Sequence, residues 1–114
     1  MDWVPGVAAR GEKGIAVAIK SIVKFTVQPG RRDEFVSLFE GLVSQHLSTL
    51  RAAGCLDSTL YTVVDEPDMA VEIADWESAE ARDAAEQSEA MAAFAPLFEL
   101  LAAPFSATVV NPPH

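Results

Sequence analysis

From residue 15 the chain alternates. Ile15, Val17, Ile19, Ser21, Val23, Phe25 and Val27 fall on one face at period two, which predicts a strand over 15–28. Pro29-Gly30 predicts a turn, and the period then changes. Over 31–53, Phe35, Phe39, Leu42, Val43 and Leu50 gather into one helical stripe, with Glu40, Ser44, Ser48 and Arg51 on the far side. His46 falls in the middle of the apolar stripe, and Gly54 supplies the helix stop. CLDSTLYTVVD (55–65) alternates again, with Leu56, Ser58, Leu60, Thr62 and Val64 set against Asp57, Thr59, Tyr61 and Val63. After the turn EPD, MAVEIADW (69–76) places Ala70, Glu72, Ala74 and Trp76 on one face and Met69, Val71 and Ile73 on the other. The short connection predicts an antiparallel hairpin. Ser78 is placed to cap a helix running to about Gln87, and Ser88 a second one from Glu89 to about Leu101, kinked at Pro96. FSATVV (105–110) reads as a last strand that NPPH cannot continue.

The order β-α-β-β-α(α)-β predicts an α+β, ferredoxin-like βαββαβ fold, an antiparallel sheet with helices on one face. Val, Ile and Leu occupy both faces of these strands, so the second face needs a cover. A second copy of the sheet meets that need, and a homodimer joined through sheet faces is expected. Residues 1–14 read as a flexible N-terminal arm, 15–111 as one domain and 112–114 as a tail. Trp3 in the arm either docks on a neighbouring chain or stays exposed, and His114 is given no role. A chain of 114 residues makes one small domain, burying about two-thirds of its unfolded surface.

Charge narrows the partners. Lys and Arg total 8 against 17 Asp and Glu, a formal net charge of −9, and no basic stripe gathers the cations. Nucleic acid and anionic membrane surfaces are therefore not expected. Cys55 is the single cysteine, which excludes an internal disulfide, and with the two histidines far apart no metal site is expected. MDWVPGVAARGEKG lacks the pattern of a secretory signal. AMAAFAPLFELLAAPF is too short to span a bilayer and contains Pro96 and Glu99, so a cytoplasmic location is expected.

FTVQPGRRDEF (25–35), AAGCLDSTLYTVVDEPD (52–68), the aromatic strand end DWES (75–78) and the spacing from there to APFSATVV (103–110) together resemble the antibiotic biosynthesis monooxygenase family, the dimeric α+β barrel group. The resemblance covers about residues 17–111. It implies a dimer whose sheets pair into a barrel, with a pocket between sheet and helices in each subunit. Some members oxidise phenols to quinones with O2 and no bound flavin or metal; others degrade haem or isomerise small molecules. Many carry a histidine nine residues after the strand-end tryptophan and another near the next helix start, where this chain has Ala85 and Ala90. The haem-degrading branch uses an asparagine on the first strand, where this chain has Val23, so that activity is not implied.

Cofactor-free oxygenation needs a base, a dry aromatic-lined pocket and donors for a developing oxyanion. His46, with an unperturbed pKa of about 6.5, is the candidate base, its alternative being a buried histidine satisfied by the backbone. Trp76 is the candidate pocket wall and donor, or else core packing at a strand end. Glu72 shares its face. It is either a carboxylate needing His46 or Arg82 as partner or an ordinary surface charge, and the surface reading is preferred. Tyr61 is a candidate substrate contact or an interface residue. Met91, Phe94 and Phe98, with Leu97 and Leu101, are the core face of the last helix or the lining of an apolar cavity. Cys55 reads as a packing residue. The function expected is a cofactor-independent monooxygenase acting on an aromatic or polyketide-like molecule. The alternatives are a non-catalytic dimeric small-molecule-binding or accessory protein and a lactone-type isomerase on the same scaffold.

Overall fold

The computed structural model describes residues 18–112. The arm with Trp3, the strand positions Ile15 and Val17, and His114 lie outside the described residues. Within them the elements are β1 (Ile19–Thr26), α1 (Arg32–Gln45), α2 (Leu47–Ala52), β2 (Cys55–Thr62), β3 (Met69–Trp76), α3 (Ala79–Glu86), α4 (Glu89–Ala92), α5 (Ala95–Phe98) and β4 (Ser106–Val110). The strands form one antiparallel sheet in the order β2-β3-β1-β4, which is the ferredoxin-like arrangement.

Strict alternation explains β1. Ile19, Ser21, Val23 and Phe25 are buried beneath the helices, whereas Lys20 and Lys24 are exposed on the other face. Pairing carries that face across the sheet: Val23 lies opposite Glu72, Ser21 opposite Ala74 and Ile19 opposite Trp76. Glu72 therefore points to the helix side, and the surface reading of this residue is overturned. The preference failed because Glu72 was judged by residue type, whereas its position is set by register with a buried neighbour strand.

Gly30 takes φ +78° in the turn after β1, and its N–H donates to Asp68 Oδ1 at 3.1 Å. The Arg32 side chain then ties α1 to the β2–β3 turn, its Nη1 donating to the carbonyls of Glu66 (3.0 Å), Val63 (3.3 Å) and Met69 (3.4 Å). Phe35 and Phe39 are the buried residues of α1. The single helix expected over 31–53 is broken at His46, which has φ −109° and ψ 18° and separates α1 from α2. The break turns α2 so that Leu50 is buried and Leu47 stays exposed. Gly54, at φ +106°, follows; a Cβ there would stand 2.9 Å from Ala81 Cβ and from Glu77 Cγ, so only glycine lets α3 approach this closely.

β2 ends at Thr62 rather than 65, and its register shifts between Cys55 and Asp57. This bulge puts Cys55 opposite Trp76 and Ser58 opposite Ala74, so both face the helices, while Leu56, expected on that face, is 54% exposed. Ser78 caps α3 as expected, its Oγ accepting from Ala81 N at 3.0 Å. Ser88 does not cap in this way: its hydroxyl donates back to Ala85 O at 2.7 Å. The expected helix from Glu89 to Leu101 is two short turns, α4 and α5, with Pro96 in the first turn of α5. Backbone bonds from Gln28 N to Leu100 O and from Ala102 N to Thr26 O, both 2.8 Å, then dock the chain onto the end of β1.

Candidate functional site

Beneath the helices the sheet encloses a cavity of about 110 Å³. β1 supplies Ser21, Val23 and Phe25 in sequence along its floor, each two residues from the last. Phe39, Leu50, Phe94 and Leu97 roof it, and Phe98 with Phe105 stands at one side. Those last two rings stack with centroids 5.5 Å apart and are 41% and 42% exposed, so they form the cavity's border with solvent.

The end around Ser21 is polar. Glu72 Oε2 accepts from Ser58 Oγ at 2.7 Å. Arg82, one turn into α3, donates from Nε to Ser21 Oγ at 3.2 Å and pairs through Nη2 with Glu86 Oε2 at 2.9 Å. Burial lifts the Glu72 carboxyl above its ordinary value; the Ser58 hydrogen bond and the Arg82 charge oppose the shift without cancelling it. The same dryness pushes the Cys55 thiol up to about 11, desolvation being the first cause and the Glu72 charge the second. A thiol held so far from ionisation is a packing group, as the sequence suggested.

Three polar groups on this wall lack a partner among the described residues: Glu72 Oε1, the Ser21 hydroxyl proton and the Trp76 indole N–H. Trp76 is 7% exposed and Ser21 2%, so both lie away from the outer surface, on the cavity wall. Buried polar groups are normally paired, and three unpaired ones lining one cavity match the donor and acceptor set of a ligand.

The structure brings together Trp76, Glu72, Arg82, Met91, Phe94 and Phe98 of the expected site. It does not bring Tyr61 to them. Tyr61 pairs with Val71 on the opposite face of the sheet and is 52% exposed. His46 is partly buried but stands outside the cavity wall, its ring 6.0 Å from that of Phe94, which does line it. Sequence reasoning missed Ser21 and Ser58. The signal for both was a hydroxyl on an otherwise apolar strand face, Ser21 among Ile19, Val23 and Phe25 and Ser58 beside Leu60. Among the described residues no group of three His, Cys, Asp or Glu side chains is placed to hold a metal ion, and no helix is long and apolar enough to cross a membrane.

A family model described as antibiotic biosynthesis monooxygenase matches residues 18–97. Solved structures share the fold. A Mycobacterium tuberculosis protein is 26% identical, with a TM-score of 0.62 over 83% of this chain and 94% of its own. A Caulobacter crescentus protein, named as a candidate antibiotic biosynthesis monooxygenase, is 19% identical, with a TM-score of 0.74 over 88% and 93%. A Bordetella bronchiseptica protein named in the same way is 24% identical, with a TM-score of 0.70 over 84% and 97%. No curated protein matches the sequence significantly.

Proposed function

The chain belongs to the antibiotic biosynthesis monooxygenase family, and from that premise we propose that it oxidises a small aromatic or polyketide-like molecule with O2, without a bound cofactor. The observation that carries this reading is the cavity itself: an apolar, aromatic-lined space with a carboxylate, a guanidinium, a hydroxyl and an indole N–H at one end. Such a space holds a planar ring by stacking and shields an anion formed within it from water. In the simplest case an activated CH2 of the substrate becomes a carbonyl, one oxygen atom of O2 entering the product and the other leaving as water with the two hydrogens. The anion formed by loss of a proton supplies the first electron to O2.

Two copies joined through sheet faces complete the molecule in this proposal. The face away from the helices carries Ile22, Val71 and Ile73, only part-buried, beside the exposed Tyr61 and Val110. All five residues of β4 are exposed, including Val109 on the helix side. Tyr61 thereby acts at the subunit interface rather than at the substrate, and the assembled protein works in the cytoplasm.

Oxygen uptake with a panel of anthrones and hydroquinones tests the proposal. Protein-dependent uptake with quinone formation is expected. Saturable binding of the same compounds without uptake would instead identify a binding or accessory protein, a reading favoured by Ala85, which is buried where the family resemblance implies a histidine in many members. Rearrangement of a lactone with no O2 consumed would identify an isomerase.

A further inference from the structure

We infer that Glu72 is the proton acceptor of the cavity, taking the hydroxyl proton of a single-ring phenol, or of an enol of similar size, while Arg82 and Ser21 hold the oxygen left charged. The inference rests on reading the cavity as a substrate site, and it assigns both the base and the substrate class.

Geometry comes first. Glu72 sits mid-strand on β3, opposite Val23 of β1 and Leu60 of β2, so its carboxylate faces the cavity between two packed strands. Its Oε2 is engaged by Ser58, and Oε1 has no donor among the described residues. The polar groups facing it come from three elements: Ser21 on β1, Cys55 and Ser58 on β2, and Arg82 and Glu86 on α3. Arg82 donates to Ser21 and pairs with Glu86 at 2.9 Å and Asp83 at 3.8 Å, and among the described residues it makes no ion pair with Glu72. The carboxylate thus feels a positive charge without being consumed by it. His46 is not among the residues that line the cavity; its ring lies 6.0 Å from that of Phe94, which does.

The chemistry follows. The ligand O–H bond breaks, the proton passes to Glu72 Oε1, and the electron pair stays on the ligand oxygen. No atom changes oxidation state and the net charge of the site is unchanged; the negative charge moves from the carboxylate to the ligand. Ser21 has a hydroxyl proton to donate to that oxygen, and Arg82 supplies the countercharge. Burial raises the Glu72 carboxyl toward neutrality, which makes it a stronger proton acceptor than an exposed glutamate. Size sets the class: 110 Å³ is somewhat less than the roughly 150 Å³ of a cavity that accepts benzene. At most one ring is accommodated, with the rest of the molecule extending past Phe98 and Phe105 to solvent.

The full-length protein and 4-nitrophenol, whose phenol and phenolate absorb at different wavelengths, provide the test. The wild type is expected to bind the probe saturably and, at a pH where the free probe is still the neutral phenol, to show phenolate absorption from the bound probe, a signal lost as the pH is lowered further and Glu72 is protonated. Glu72→Gln, nearly the same shape, is expected to weaken binding about tenfold and to abolish that pH dependence. Glu72→Asp keeps the charge and restores part of both, whereas His46→Ala stays within about twofold of wild type, well inside the effect of one neutral hydrogen bond. Where a panel substrate is oxidised, Glu72→Gln lowers kcat about 10²–10⁴-fold, well beyond the roughly tenfold loss of affinity. Oxidation that survives Glu72→Gln overturns the base assignment and leaves the monooxygenase standing. Absence of any oxidation overturns the monooxygenase, and the binding arm still decides Glu72. A Glu72→Gln protein that binds the probe as wild type does, or a wild type that does not bind it, overturns the inference.

Discussion

Along β1 the cavity runs from Ser21 at one end to Phe25 at the other, and the residues gathered round these two positions differ in kind. Phe25 packs against Phe35 at 5.0 Å between ring centroids, Phe105 at 6.1 Å and Phe39 at 6.3 Å, all in tilted or edge-on arrangements that favour aromatic pairs. Every group at that end has what it needs from its neighbours. Round Ser21 stand Ser58, Glu72, Trp76 and Arg82, with an oxygen, a hydroxyl proton and an indole N–H left over among the described residues. One end is organised to hold the fold together. The other keeps a buried carboxylate and unused hydrogen-bonding capacity, features that cost stability and persist where a site requires them.

The comparison breaks first at the aromatic end. Phe35 is 0% exposed, and Phe35→Ala is expected to remove about 3–5 kcal/mol of unfolding free energy in a urea titration at fixed protein concentration. That is a large part of the roughly 5–15 kcal/mol typical of a folded domain. A loss below about 1 kcal/mol would mean that the aromatic cluster is not the anchor described here.

At the polar end the corresponding probe is a thiol. With Cys55 raised from 9.0 to about 11, its thiolate is roughly 100-fold scarcer than that of an ordinary cysteine. Alkylation of the native protein at mildly alkaline pH should therefore run at least about 100-fold slower than alkylation of the urea-unfolded chain. Equal rates would show that water enters the polar end freely. A smaller effect comes from α3, which carries Arg82 to the cavity. Ser78→Ala removes the hydroxyl that caps it and should cost about 1 kcal/mol in the same urea titration.

The two ends also differed in how far the chain could be read before its structure was known. The aromatic end was legible: period-two alternation placed Phe25 on the buried face of β1, and the helical stripe placed Phe35 and Phe39 above it. Hydrophobic periodicity records what is buried, and these residues are buried for no other reason. The polar end was legible only in part. Trp76 and Arg82, named from the sequence, line the cavity, but Glu72 was set on the surface, because a carboxylate on an apolar face contradicts the very pattern used to find the face. Alternation set Ser58 beside Leu60 but set Leu56 there too; the bulge turns Leu56 outward and Cys55 inward, and no periodicity shows where a strand gains a residue. His46 illustrates the converse: it fell in the stripe of one continuous helix, but the helix breaks at that residue and leaves it off the cavity wall.

The stability of Glu72→Gln as a function of pH tests most directly whether the polar end is held for a ligand rather than for the fold. A carboxyl whose folded-state pKa is raised above its ordinary 4.5 favours folding below that value, and this contribution is lost as the pH rises through the folded-state pKa. At neutral pH the wild type therefore carries a buried charge that glutamine does not. Urea unfolding at neutral pH should find Glu72→Gln more stable than wild type, with the advantage shrinking as the pH falls toward about 4 and Glu72 becomes protonated in both folded and unfolded states. A variant less stable than wild type at neutral pH would contradict this account. It would mark the Ser58–Glu72 hydrogen bond as part of the scaffold and the cavity's polar end as ordinary core.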